Sequence, residues 1–162
     1  MAKTSAGLLP FRRRDGALEV FLVHPGGPFF AKKDDGAWSV AKGEIKPDED
    51  PLAAAQREFI EETGQSITGA FIPLGECRQA GGKRVTVWAI AADFDASTIV
   101  SNNFELEWPP RSGRRQIFPE VDRAQWFGLD EARRRINQGQ AALLDALVER
   151  VTAGSAPTPS AT

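Results

Sequence analysis

One stretch constrains this chain more than any other: GEIKPDEDPLAAAQREFIEETG, residues 43–64. Asp50 is a good helix N-cap, and Pro51 suits the first helical position, where its missing N–H costs nothing. Nothing in 52–63 breaks a helix, and Gly64 supplies the left-handed residue that commonly ends one. The sequence therefore predicts a helix over 52–63. At about 100° per residue, Leu52, Ala55, Phe59 and Ile60 fall on one broad side, while Glu58, Glu61 and Glu62 share an arc of about 100° on the other. Like charges three or four residues apart cost roughly 0.2–0.5 kcal/mol per pair, so this trio is a local liability. A hard divalent cation explains it. Carboxylate oxygens are its natural ligands, and Mg²⁺ takes a few of them while keeping several waters.

A run such as EFIEE alone is an ordinary solvated acidic face. The wider pattern is far more specific. Gly43, Glu49, Arg57, Glu58, Glu61, Glu62 and Gly64 stand at fixed offsets; at roughly 6% usage each, they coincide by chance at about 10⁻⁹ per starting position. On these residues, with Phe59, the chain resembles the Nudix hydrolase family, whose signature is G-x5-E-x7-R-E-U-x-E-E-x-G-U, U being bulky and apolar. Gln65 departs from it, standing where an apolar residue is usual.

The resemblance implies a Nudix-like α/β/α sandwich around a mixed, partly curled β-sheet, an α/β (α+β) fold. It implies a pyrophosphohydrolase acting on a small-molecule nucleotide with Mg²⁺, or Mn²⁺ as the alternative. Carried onto this sequence, it makes Glu58 and Glu62 direct metal ligands and Glu61 a support, directly or through water. The backbone carbonyl of Lys42 is a further ligand. Arg57 orients a carboxylate, with Glu49 as candidate partner. The catalytic set is Glu61, Glu62, Arg57 and Glu120. Glu120 precedes Trp126 much as, in similar hydrolases, a late acid reaches the metal cluster or acts as base; Glu105 and Glu107 are its rivals, and a role for none of the three is a further alternative. The base is either Glu120 or an acid of the helix, since family members differ. Ala41-Lys42-Gly43 keeps half of the Pro-Lys-Gly often found in relatives acting on dinucleoside polyphosphates or inositol pyrophosphates, which favours the dinucleoside class over nucleoside triphosphates. Lys42 is also a candidate phosphate contact.

The rest of the chain alternates strand and helix signals. Residues 5–11 and 18–24 read as a hairpin around Asp15-Gly16. Gly26-Gly27-Pro28 opens a loop that runs to a short strand near 38–40. Residues 70–77 and 85–94 read as strands about a Gly81-Gly82 turn, and Trp126-Phe127 as the end of a final strand. Residues 130–136 and 140–151 read as helices, with Leu143, Leu144, Leu147 and Val151 on one side of the second. A sheet with helices after it fits α/β or α+β layering. One domain spans 1–152, followed by an Ala/Pro/Ser/Thr tail, 153–162, that reads as disordered.

Residues 95–119 form a long stretch without periodicity, and loops of such length are usually functional or disordered. Arg111, Arg114 and Arg115 are candidates to clamp a polyphosphate, and Trp108 to stack on a base. Arg12, Arg13 and Arg14 read as a solvated hairpin edge.

Composition closes other routes. With 162 residues and 41% apolar content the chain can bury an ordinary core, and a formal charge of −2 gives no pull toward nucleic acid or an anionic membrane. No run is long enough to span a bilayer, and the N-terminus does not read as a signal peptide. Cys77 alone permits no internal disulfide and fits a reducing cytoplasm; in a strand it reads as packing. His24, the single histidine, builds neither a His-rich metal site nor a serine triad. No G-x-S-x-G elbow is present, and Gly82-Lys83 lacks P-loop spacing. The competing class is a nucleotide-sensing Nudix-like module without turnover, although such modules usually lack one of the acids. Oligomeric state is not encoded in any of these features.

Overall fold

The computed structural model describes residues 4–79 and 82–154. Its centre follows from two strands that are apolar on both faces. In β1 (Thr4–Arg14), Ala6 and Leu8 point to one side and Leu9 to the other. In β2 (Ala17–Pro25), Phe21 and Val23 share the first side, Val20 and Leu22 the second. Side chains alternate with period two, so a strand apolar at successive positions belongs inside a sheet covered on both faces.

The remaining strands are β3 (Ala41–Glu44), β4 (Ile72–Arg78), β5 (Arg84–Ala91), β6 (Asn103–Glu107), β7 (Arg115–Pro119) and β8 (Val121–Gly128). The main sheet runs β4-β5-β1-β2-β8. Its β1–β5 pair is parallel and its other pairs antiparallel, so the sheet is mixed. One edge of β1 is shared: residues 11–14 pair with β2, and residues 5–8 pair with β3. Gly7 allows that second pairing, because a Cβ there would lie 2.6 Å from the Ala41 carbonyl oxygen.

Helix α1 (Pro51–Thr63) covers the Leu8 and Phe21 side through Ala54, Ala55 and Phe59. Helices α2 (Leu129–Arg135) and α3 (Ala141–Gly154) cover the Leu9 and Leu22 side through Ala132, Leu143, Leu144 and Leu147. The expected α/β/α sandwich on a mixed sheet is present. No helix among the described residues is long and apolar enough to cross a membrane.

Several local expectations change. The stretch 95–119 is not featureless: after a 3₁₀ turn at Ala96–Thr98 it forms the antiparallel β6–β7 hairpin. Its strands alternate exposed and half-buried positions too weakly for the pattern to stand out. The short strand expected near 38–40 contributes only isolated bridges, Val23 to Ser39 and Trp38 to Ile136, and the ladder forms at β3 instead. Arg12 is no solvated edge. It bonds Glu19 and Asp93, each at 2.8 Å, and its guanidinium lies 4.2 Å over Trp126. Helix α3 runs to Gly154, past the expected boundary at 152; residues 155–162 of the expected tail, and Gly81 of the expected turn, lie outside the described residues.

Candidate active site

The cap signals of α1 operate as the sequence implies. Asp50 accepts from the Ala53 N–H at 3.1 Å, Pro51 opens the helix, and Gly64 (φ 74°) closes it with its N–H on the Ile60 carbonyl. The helix is rotated from the expected position, however. Ala54 and Thr63 are buried and Ile60 is 47% exposed. On the helical wheel Glu62 lies about 20° from Ala55, while Ile60 lies about 140° away, so packing Ala55 and Phe59 on the sheet draws Glu62 inward. Gln65, the departure from the signature, donates to Thr98 at 3.1 Å and ties the helix end to the 3₁₀ turn.

Arg57 organises the acids. Its Nε and Nη2 grip Glu49 at 2.8 and 3.0 Å, and its Nη1 donates to Glu58 at 2.7 Å and Glu61 at 2.9 Å. Nη2 also reaches the Glu44 carbonyl at 3.0 Å, which fastens β3 to the helix. A planar guanidinium suits this work, since its donors leave in fixed directions. Its hydrogen bonds, helped by the Lys46 N–H, lower the Glu49 carboxyl to about 2.

Beside this clamp the acids are crowded. Burial pushes the Glu62 carboxyl up to about 8; Glu58 and Glu120 add to the rise, and Lys42 opposes it. Burial also raises Glu58, against the pull of Arg57. Glu120 is exposed over much of its length, yet its carboxyl is raised by burial and by the charges of Glu58 and Glu61. Burial lowers the Lys42 ammonium, with Glu62 acting the other way. Gly43 leaves room for Glu58: a Cβ there would lie 2.0 Å from its carboxyl carbon.

These residues line two adjoining cavities. One, of about 310 Å³, is an acidic bay bounded by Lys42, Gly43, Glu58, Glu61, Glu62 and Glu120. The other, of about 350 Å³, shares Lys42, Glu62 and Glu120 with the bay and extends to Phe30, Ser39, Gln79, Asn137 and Gln140. Gln140 is fully buried and accepts from the Val40 N–H at 3.0 Å. Its carboxamide, with those of Gln79 and Asn137, gives this cavity a polar end that sequence reasoning missed; nothing in their spacing distinguishes them from surface amides.

The hairpin candidates stand elsewhere. Trp108 packs edge-on against Phe29 at 5.2 Å, Arg115 pairs with Glu105 at 2.7 Å, and Glu107 accepts from the Gly113 N–H. Neither Trp108, Arg111, Arg114 nor Arg115 borders either cavity. Of the rival late acids, Glu120 alone borders the bay.

Among the described residues no group of three or more His, Cys, Asp or Glu side chains is placed to hold a metal ion. The bay nonetheless fits a hard divalent cation. Its donors are carboxylate oxygens that raise one another's pKa, which a cation relieves, and Mg²⁺ takes only one or two carboxylates and fills the rest of its shell with water and substrate phosphates.

Fold and bay together define a class, an α/β/α sandwich with a carboxylate-lined bay between helix α1 and the sheet. The NUDIX domain profile matches residues 1–147, and the chain belongs to the Nudix family. Its likeness to solved structures covers nearly the whole chain. The Ap4A hydrolase of C. elegans in a binary complex superposes with a TM-score of 0.64 at 20% identity, covering 92% of this chain and 98% of that one. The NUDIX domain of Shewanella oneidensis NrtR complexed with ADP ribose gives 0.64 at 18% identity, covering 93% and 89%. The E. coli ORF135 protein gives 0.57 at 22% identity, covering 96% of each. No curated protein matches by sequence.

Proposed function

We propose that the chain hydrolyses a phosphoanhydride bond in a nucleoside diphosphate linked to another group, with Mg²⁺ bound in the acidic bay. Glu58 and Glu62 would hold the ion, with Glu61 and the Lys42 carbonyl in support; Mn²⁺ is the alternative. When bound, the ion neutralises diphosphate oxygens and lowers the pKa of water. The protein supplies the rest. Arg57 keeps Glu58 and Glu61 at the mouth of the bay and anchors them to Glu49. Lys42, which borders both cavities, meets a phosphate oxygen. Glu120 faces the same space with a raised pKa and takes the proton of the attacking water as its oxygen bonds to phosphorus; the anhydride P–O bond breaks and the leaving phosphate departs.

The observation that carries this reading is that Lys42, Glu62 and Glu120 border both cavities. A linked diphosphate laid across that boundary has its phosphates by the acids and its nucleoside beside the carboxamides. The relatives solved as an Ap4A hydrolase and with ADP ribose support this substrate class. The test is a product-resolved panel of nucleoside triphosphates, oxidised nucleotides, ADP-ribose and diadenosine polyphosphates, each with and without Mg²⁺. Metal-dependent release of a mononucleotide is the expected result. Saturable binding of ADP-ribose without product would instead establish a nucleotide-sensing module.

A further inference from the structure

His24, near the end of β2, is wholly buried, and both of its ring nitrogens face oxygens. Nδ1 lies 2.8 Å from Asp122 Oδ1, and Nε2 lies 2.7 Å from the Lys33 carbonyl oxygen. A neutral imidazole has one N–H and one lone pair, so it satisfies only one of two acceptors. Both contacts are hydrogen bonds when ring and carboxyl together carry two ring-side protons, as imidazolium beside carboxylate or as neutral ring beside carboxylic acid.

The surroundings suit that pairing. Arg123 Nε lies 3.9 Å from Asp122, and its guanidinium stands 5.3 Å over the Trp38 ring, which packs edge-on against the imidazole at 5.2 Å. Behind Trp38, its indole N–H donates to Asp34, which Arg135 also grips. The Lys33 ammonium is directed away, over the Phe30 ring at 5.5 Å.

The carbonyl that His24 holds lies in the segment that brings Phe30 to the cavity wall. The Lys33 N–H donates to the Phe30 carbonyl at 3.0 Å, and Phe30 lines the larger cavity together with Pro25 and Gly36. This segment is fixed at its ends. Gly26 donates to the Glu120 carbonyl at 2.9 Å, and Gly36 to the Arg134 carbonyl at 3.1 Å. Between those anchors the His24 ring ties its backbone to the sheet.

We infer that His24 is a positioning residue for the substrate cavity: its Nε2–H clasps the Lys33 carbonyl and fixes the 27–35 segment that carries Phe30. The inference rests on the cavity assignment above, but its test does not need turnover. Three variants separate the two bonds. In His24→Gln the amide nitrogen takes the place of Nε2 and keeps the Lys33 bond. In His24→Asn it reaches only Asp122. In Asp122→Asn the new amide donates to Nδ1, so a neutral ring satisfies both partners.

Amide hydrogen exchange of the full chain, expressed as protection factors, reads the clasp directly. Loss of one buried hydrogen bond is worth about a tenfold change. Protection across 27–35 should therefore fall about tenfold in His24→Asn, hold in His24→Gln, and stay unchanged in α1 throughout. With ADP-ribose or diadenosine tetraphosphate as probe, KM should rise in His24→Asn with kcat within about twofold, and His24→Gln should restore it. Unchanged protection in His24→Asn, or an equal fall across the whole sheet, overturns the inference. Should His24→Asn fail to fold, Asp122→Asn decides. Its amide donates to Nδ1 and leaves the Nε2–H on Lys33, so protection across 27–35 should match the wild type; a fall of about tenfold there refutes the clasp. Absence of turnover with any substrate would sink the proposed function and leave the exchange result standing.

Discussion

Replacing Glu62 with glutamine should make the metal-free protein more stable and the enzyme far worse. The Glu62 carboxyl titrates near 8 in the folded chain against 4.5 as a free group, chiefly through burial. The folded state thus holds this proton more tightly than the unfolded state, so stability declines as pH rises from 4.5 to about 8. At about 1.36 kcal/mol per unit, the full decline is on the order of 4–5 kcal/mol as an upper bound. Glutamine has no proton to lose and escapes it, though a half-satisfied buried amide costs about 1–2 kcal/mol. The expected gain at pH 8.5 is therefore about 3 kcal/mol, or roughly 6–12 °C in Tm for a chain of this size; near pH 5 the gain vanishes. Thermal unfolding in EDTA from pH 5 to 9 measures it, and turnover with Mg²⁺ on the same samples should drop by about 10²-fold or more. Parallel pH profiles for the two proteins would show that Glu62 is not a desolvated carboxylate. Undiminished turnover would remove it from the mechanism.

Gly43→Ala should cost about 10²-fold in turnover with the fold intact by circular dichroism, because its Cβ would stand 2.0 Å from the Glu58 carboxyl and must displace it by more than 1 Å. Arg57→Met should remove the acid-side stability slope that comes from Glu49: with a folded pKa of about 2, that contribution is full above 4.5 and is lost as pH falls toward 2, measurable by urea unfolding between pH 5 and 2. Glu120→Gln should slow turnover by about 10²–10⁴-fold and leave equilibrium metal binding, read by calorimetry, nearly unchanged; a loss of metal affinity would recast Glu120 as a ligand. Leu144→Ala, emptying a fully buried site on the face away from the bay, should cost about 2–5 kcal/mol in urea unfolding without altering kcat.

Much of the fold was legible because its signals are local. The Asp50 cap, Pro51 and Gly64 bound α1 within the residues that form it, and Asp15-Gly16 marks the turn that joins β1 to β2. The acidic trio was legible for the same reason, since helical spacing alone brings Glu58, Glu61 and Glu62 together. The β6–β7 hairpin was not, because a small two-stranded unit beside the main sheet needs little apolar alternation. Arg12 was misread for a related reason: its partners Glu19, Asp93 and Trp126 reach it through strand pairing and loop return.

By itself the sequence determined the helix, its carboxylates, their arginine and the family to which they belong, since each depends on neighbours a few positions away. Only the tertiary structure decided that Glu120 rather than Glu105 or Glu107 faces those acids. It also decided that Glu62 is the one drawn inward, that Gln79, Asn137 and Gln140 shape the far end of the cavity, and that His24 stands between two acceptors. Those relations join residues distant along the chain, and packing on both sides of a sheet brings them together where no periodicity records it.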